Sequence, residues 1–372
     1  MHKTTEFPRL GYLDGLRGLS CVAVILHHCV FHGARLEFAN PALKAIAHIL
    51  SKGYTGVEVF FILSGFCLAA PMFLPGYSFH PKTYLLARFR RLYPAYFLTL
   101  MLLVATGVGI SLSEMTGLAS VFPRPKVTDV IIGLVLYSVW GNTVFWTLVI
   151  EARWYAILPF IVGGIKKLEQ RGLRWGIASA TMLLASAAVA VIYIKGMNAT
   201  PGILTRAIFA IGMVMAYLPI LVSGVILARH RELLQDSLKR HHRVVSILLI
   251  VVIAGCMSQL PADPMVITLA KRLLFAGGCS IAIFTLALIN PLFQRILQLR
   301  LIVHLGKISY TAYLIHLPLI QLFKHILPGT ALPQPAAFGI YYIVLPVALL
   351  FISHFAAMIL EAPFLRKPHA DA

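Results

Sequence analysis

The chain has 372 residues, 59% hydrophobic and only 12% charged, with a mean hydropathy of +0.85. An average globular chain carries about 25% charged residues, so this one could not cover the surface of a soluble particle; disorder, collagen, coiled coil and a disulfide scaffold fail on the same figures. The net charge of +19 would suit a nucleic-acid binder, yet Lys and Arg sit in short loops between apolar runs, with no stripe a phosphate backbone could track.

A spanning helix needs about 20 mostly apolar residues. Ten runs are read as spans, with approximate bounds. They are Leu16–Phe31, Val57–Phe73, Tyr93–Ile110, Trp146–Ile165, Trp175–Tyr193, Ile208–Ala228, Val244–Met257, Phe275–Ile289, Ile308–Leu327 and Phe338–Leu360. An eleventh, Val127–Trp140, is short and is read as re-entrant or interfacial. No repeat, signal peptide or soluble appendage is read. The expected fold class is therefore an all-α integral membrane protein, about ten transmembrane helices in one bundle, forming a single domain over residues 1–372. Cys21, Cys29, Cys67, Cys256 and Cys279 lie in or beside apolar runs without paired or metal-ligand spacing, so they are read as small buried hydrophobes and no metal is expected.

Positive charge on short loops sets the orientation. Of the 32 Lys and Arg residues, 21 fall on one side, among them Lys3, Arg9, Lys82, Arg88, Arg91, Arg229, Arg240, Arg295, Arg366 and Lys367. Ten fall on the other, including Arg35, Lys52, Lys195, Arg206 and Arg272, and Arg153 lies within a span. Both termini are expected in the cytoplasm, which an even number of spans satisfies.

An ionisable group within a span is costly and marks a site by default. In the first run, Arg17 and His28 are eleven residues apart, about 16 Å along one helix face, with Asp14 and Cys21 on the same face. A snorkelling arginine and a histidine bonded to a neighbouring helix are the bland alternative. The second run opens Gly56-Val57-Glu58 and continues to Ser64-Gly65, a small pair that permits close helix approach; Ser64 has no base near it in sequence. Arg88 and Arg91, at i and i+3 before the third run, can hold phosphates bidentately or serve as a plain membrane anchor. In the fourth run Glu151 and Tyr155 form an i, i+4 pair. In the ninth, Ser309, Tyr313 and His316 line one stripe, which a helix–helix hydrogen-bonding role would equally explain. Glu361 is read as a structural acid at the end of the last run.

Six segments in this order resemble the acyltransferase-3 family of bacterial membrane O-acyltransferases. They are Asp14-Gly15-Leu16-Arg17…His28, Gly56-Val57-Glu58…Ser64-Gly65-Phe66, Arg88…Arg91-Leu92-Tyr93-Pro94, Trp146-Thr147-Leu148…Glu151…Tyr155, Gly306-Lys307-Ile308-Ser309-Tyr310…Tyr313…His316…Pro318, and Glu361-Ala362-Pro363. The resemblance implies a ten-helix enzyme of the bacterial cytoplasmic (inner) membrane. Such an enzyme moves an acyl group, often acetyl, from cytoplasmic acyl-CoA to a hydroxyl of a cell-envelope glycan, or of a macrolide-like small molecule. Arg17 and His28 match the family's Arg–His pair, and Arg88 and Arg91 its Arg-x-x-Arg motif. Three departures stand out: Glu58 where Asp is usual, Thr147 for a common Ser, and Ala152-Arg153 for a frequent Glu-Gln. The soluble esterase-like extension of some relatives is not read.

The expected chemistry follows. Neutral imidazole can take a hydroxyl proton near pH 7, which makes His28 the candidate base. Glu151 is expected to orient it, Arg88 and Arg91 to hold the coenzyme phosphates, and Arg17 to guide the pantetheine end or a phosphate. Direct transfer and an acyl-histidine or acyl-serine relay remain open. Buried Glu, His and Arg in a helical bundle also suit a proton-coupled transporter, although no inverted repeat is visible. The expected partners are the lipid bilayer, acyl-CoA and a hydroxyl-bearing acceptor, with a homo-oligomer or an acceptor-binding protein left open and no nucleic acid.

Overall fold

Inside a hydrocarbon layer the helix satisfies every backbone N–H and C=O within its own segment, and apolar runs this long fold accordingly. The computed structural model describes residues 7–8, 10–33, 38–112, 118, 121–122, 124–134, 142–172, 174–197, 203–261, 268–328 and 331–365, and among these there is no strand. Lys3, Arg9, Arg35, Arg366, Lys367 and the 135–140 part of the short apolar run lie outside the described residues, as do the side chains of Lys195 and Arg206.

In chain order the helices are α1 (Gly11–His28), α2 (Pro41–Ser51), α3 (Gly56–Ala69), α4 (Pro81–Leu112), α5 (Val127–Leu134), α6 (Trp146–Gln170), α7 (Trp175–Met197) and α8 (Ile203–Arg229). They continue as α9 (Arg231–Lys239), α10 (His242–Gln259), α11 (Leu269–Ile289), α12 (Pro291–Leu297), α13 (Arg300–Ile326), α14 (Gln334–Gly339), α15 (Leu345–Leu360) and α16 (Ala362–Leu365). Each expected span falls on a helix. Among the described residues, seven helical stretches are long and apolar enough to cross a membrane, or eight if α8 and α9, bent by 69°, count as one. The 27-residue α13 is not among the seven, because His304, Lys307, Ser309, Tyr310 and His316 dilute its apolar content. The described part of the short apolar run is α5, whose eight residues make about 12 Å of helix.

Helix starts are written locally. Asn40 Oδ1 accepts from the Ala42 N–H at 2.9 Å ahead of Pro41, and Asn290 Oδ1 accepts from the Phe293 N–H at 2.8 Å ahead of Pro291. A capping acceptor followed by a residue that lacks an N–H suits an N-terminus.

Close contacts divide the chain into two compact units. Unit one comprises Met1–Ser20, Tyr54–His80 and Ile150–Val303. Its centre is the contact of α3 with α8, where two glycines meet reciprocally. A Cβ on Gly65 would lie 2.1 Å from the Leu221 carbonyl oxygen, and one on Gly224 would lie 2.2 Å from that of Ile62. Helices α10 and α11 form an antiparallel hairpin, tied by the Asn290 amide donating to the Ser246 hydroxyl at 2.9 Å. The outer flank of α10 exposes Val244, Ile247, Leu248, Ile250 and Val251, as suits a lipid-facing helix. At one end of the unit three segments assigned to the basic side come together: Arg231 lies over the Phe7 ring, Gln235 donates to the Leu288 carbonyl, and Gly15 abuts the Leu297 carbonyl. There too Arg229 grips Glu169 through Nε and Nη2, at 3.0 and 3.2 Å. Burial, then the adjacent Arg229, holds the His230 imidazole below its ordinary value against the opposing pull of Glu169.

Unit two comprises Cys21–Gly53, Pro81–Val149 and His304–Ala372. The second half of α1 runs beside α13. The Cys21 thiol donates to the Ser309 carbonyl at 3.4 Å, and His28 meets His316 at 3.0 Å. Both contacts are seven residues on from one another, so the two helices keep register over two turns. Tyr93 and Tyr96 hydroxyls donate to the Leu134 and Gly133 carbonyls and fasten α5 to α4. Glu361 accepts from the Thr311 hydroxyl at 3.0 Å, a structural pairing.

The glycine crossing sets a stability prediction. Gly65→Val or Gly224→Val should cost about 1–3 kcal/mol through overpacking, read as a lowered thermal midpoint in detergent. Gly163→Ala, with nothing within 4 Å of its added Cβ, should leave the midpoint unchanged or raise it.

Candidate functional site

The centre of unit two is a pair of histidines brought together from opposite ends of the chain. His28 ends α1, and His316 sits in mid-α13 two residues before Pro318. Their rings lie 4.9 Å apart, with His28 Nδ1 3.0 Å from His316 Nε2. His316 Nδ1 lies 2.8 Å from the Tyr313 carbonyl oxygen. A carbonyl can only accept, so that nitrogen carries the hydrogen and a neutral His316 offers its lone pair at Nε2. His28 Nδ1 faces this lone pair and also the Val24 carbonyl at 3.0 Å. Both neighbours accept, so His28 Nδ1 is protonated and the basic lone pair of the neutral ring is on Nε2. Two backbone carbonyls thus fix the tautomer of both rings. The preceding His27 is buried and bound through Nδ1 to the Ser51 carbonyl, which ties α1 to the end of α2.

A buried polar cluster holds the α13 side in place. Asn142 caps the turn before α6, and its amide donates to the Leu314 carbonyl at 2.7 Å. The Thr147 hydroxyl donates to the Tyr313 hydroxyl at 3.0 Å. The Ser309 hydroxyl turns back onto the Gly306 carbonyl. Of the expected stripe, Tyr313 and His316 therefore join the site, whereas Ser309 serves its own helix and, through its carbonyl, Cys21.

The arginine pair also belongs to unit two. At 32 residues α4 is about 48 Å long, well beyond the hydrocarbon core, so Arg88 and Arg91 can ride on its first turns outside the oil. Arg88 stacks its guanidinium over the Tyr84 ring at 5.6 Å, and its Nε is buried with no hydrogen-bond partner among the described residues. Arg91 is exposed. A half-buried guanidinium with an unmet donor beside an exposed one can hold an anionic group such as a phosphate.

The remaining expected residues lie in unit one. Arg17 Nη1 is 3.4 Å from Asp14 Oδ1, an i, i+3 ion pair on α1. The Tyr155 hydroxyl donates to Glu151 Oε1 at 2.5 Å, the i, i+4 pair expected. In unit two, the side chain met at His28 Nδ1 is His316. Ser64 Oγ is buried with no hydrogen-bond partner among the described residues, so no base stands ready to make it a nucleophile. Glu58 is fully buried and its Oε1 accepts from Arg272 Nε at 2.9 Å.

Two contributors escaped the sequence reading. Arg272 was counted among loop charges, and only its place at the head of an apolar run hinted that it turns inward. Asn142 carried no signal beyond being a polar residue before a span.

Residues 10–360 match a family described as an acyltransferase domain. The chain is 28% identical to the acyltransferase MdmB of Streptomyces mycarofaciens over 348 residues, covering 86% of this chain and 81% of MdmB. It is 25% identical to the peptidoglycan O-acetyltransferase OatA of Listeria monocytogenes, covering 95% of this chain and 55% of OatA, so it spans about half the length of that relative. No solved structure matches.

The tautomer assignment can be read directly. In protein with ¹⁵N-labelled histidine, above the imidazole pKa of about 6.5, His28 should show a hydrogen-bearing Nδ1 and a bare Nε2, with His28→Gln identifying the signals. The opposite tautomer would contradict the pairing.

Proposed function

The chain belongs to the acyltransferase-3 family and is an O-acyltransferase of the membrane; from that premise we propose that it takes an acyl group, chiefly acetyl, from acyl-CoA at the cytoplasmic face of a bacterial inner membrane and places it on a hydroxyl of a cell-envelope glycan. The observation that carries this reading is the His28–His316 pair, whose geometry puts a basic nitrogen within a spanning helix.

The steps balance without an added reagent. His28 Nε2 takes the proton of the acceptor hydroxyl, the alkoxide oxygen attacks the thioester carbonyl, the C–S bond breaks, and the thiolate leaves as the thiol with that proton. An alcohol is a poor nucleophile until its proton is removed, and a positioned base contributes about 10²–10⁴-fold. His316 holds the ring in the productive tautomer by accepting at Nε2, and as a second imidazole it shares the positive charge that forms on His28. Tyr313, Thr147 and Asn142 hold His316 by bracing α13 against the start of α6.

Arg88 and Arg91 bind the donor's phosphates, with Arg88 Nε as the buried donor awaiting an acceptor. Arg17, ion-paired with Asp14, is a further positive group for the donor's pantetheine end or a phosphate. In this reading both termini lie in the cytoplasm. The excess of basic residues supports this, as does the meeting in unit one of three segments assigned to that side. The name of OatA, a peptidoglycan O-acetyltransferase, supports an envelope glycan as acceptor.

Membranes containing the chain, given radiolabelled acetyl-CoA and solubilised envelope glycan, should place base-labile label in the glycan. His28→Ala should lower that transfer at least about 10²-fold in protein that still folds; wild-type transfer in this variant would remove the base. Arg88→Ala should raise KM for acetyl-CoA by about ten- to a hundredfold, as expected for a lost hydrogen bond to a charged group, with kcat much less affected.

A further inference from the structure

Helix α11 ends at Ile289, and the last carbonyls of a helix have no partner within it. Side chains from two other elements supply one here. The Gln235 amide of α9 donates to the Leu288 carbonyl at 3.2 Å, and the Gln294 amide of α12 donates to the carbonyls of Ala287 and Leu288 at 2.9 Å. The Asn290 amide, at the corner between α11 and α12, donates to the Ser246 hydroxyl of α10. Helices α9 and α12 and the start of α10 are thereby gathered at one end of unit one.

That end is basic and uncovered. The turn from α9 to α10 reads Lys239-Arg240-His241-His242-Arg243, with Arg240 and Arg243 exposed. The stretch 290–303 contains Arg295 and Arg300, both exposed, and no acid. Of the two acids in α9, Glu232 is paired with Arg231 at 3.1 Å, which leaves the exposed Asp236 against four arginines. Apolar side chains stand among these charges. Leu292 and Ile296, one turn apart on α12 and flanking Arg295, are 67% and 42% exposed, whereas Leu297 on the same helix is fully buried. Arg243 is followed at once by Val244, the first residue of the lipid-facing flank of α10. Leucine gains nothing from water and arginine gains nothing from hydrocarbon; both are satisfied where phosphates meet acyl chains. An acidic protein segment would match the arginines but leave the apolar flank beside them unused.

We propose that this end of unit one is a docking surface for phospholipids of net negative charge. Arg240, Arg243, Arg295 and Arg300 hold the headgroup phosphates, while Leu292, Ile296 and the flank of α10 lie against the acyl chains. Guanidinium groups suit the task because they grip phosphate oxygens in pairs and keep their charge at any physiological pH. Bound lipid ties α9, α10 and α12 together from outside, as the Gln235, Gln294 and Asn290 hydrogen bonds tie them from within. The surface lies wholly within unit one and takes no part in the acyltransfer chemistry proposed above.

The thermal midpoint of the full-length protein in mixed micelles of a neutral detergent tests this. Phosphatidylglycerol should raise the midpoint, and phosphatidylcholine of the same chain length should raise it less. The difference should vanish near about 1 M salt, where the Debye length falls to about 3 Å. At about fivefold per arginine, Arg240→Gln with Arg243→Gln should raise the mole fraction of phosphatidylglycerol needed for half the shift about ten- to thirtyfold. Arg295→Gln with Arg300→Gln should do the same, and the midpoint without lipid reports whether each variant is folded. Arg171→Gln with Arg174→Gln removes two exposed arginines from another loop of unit one and should leave the titration unchanged. An equal loss in that pair would overturn the surface in favour of overall charge. Equal midpoints in the two lipids would overturn headgroup recognition, and a rise matched by inorganic phosphate alone would overturn the lipid as occupant. None of these readouts requires turnover, so a failure of the acyltransfer reading would leave them untouched.

Discussion

A polar side chain in a hydrocarbon layer has no water to turn to, and that constraint explains where the acids, arginines and histidines of this chain sit. Each must find its partner within the protein or among its ligands. Asp14 holds Arg17, Glu151 takes the Tyr155 hydroxyl, Glu58 takes Arg272, and Asn142 reaches across to the Leu314 carbonyl. His28 and His316 satisfy one another. That mutual satisfaction turns two residues 288 positions apart into one unit with a defined tautomer. Arg88 Nε is among the buried polar atoms with no hydrogen-bond partner among the described residues, and a ligand oxygen would complete it.

Packing follows a different rule from that of a soluble core. Burying an apolar side chain against a helix gains little when the alternative is a lipid tail, so close backbone approach and polar contacts decide which helices pair. The Gly65–Gly224 crossing is the clearest instance, since any side chain there would drive α3 and α8 apart. The bare flank of α10 shows the converse, a helix whose valines, leucines and isoleucines need no protein partner.

Much of the architecture was legible in the residue order because a span is a long, local and nearly continuous signal. The ten apolar runs all fall on helices, and even the stripe that pulls α13 below the hydropathy of its neighbours pointed to a helix with a site on it. The pairs at short spacing were legible for the same reason: Asp14 with Arg17 and Glu151 with Tyr155 follow from 3.6 residues per turn. What the sequence did not reveal was contact at long range. Nothing local to His28 indicates that its ring meets His316. Arg272 was hidden differently: charge counting treats every arginine beside a span as a loop residue, whereas a long side chain can fold back toward a buried acid.

Acyl transfer here turns on an imidazole that must be neutral to accept a proton and whose basicity is shared with its neighbour. The most direct test is the pH dependence of kcat/KM for acyl transfer, in the wild type and in His316→Leu. A single-proton fall in activity should appear as pH drops through the imidazole range, roughly pH 6–7, and it should shift when His316 is replaced. A wild-type profile that stays flat from about pH 8 down to 5 would contradict the histidine pair as the proton acceptor.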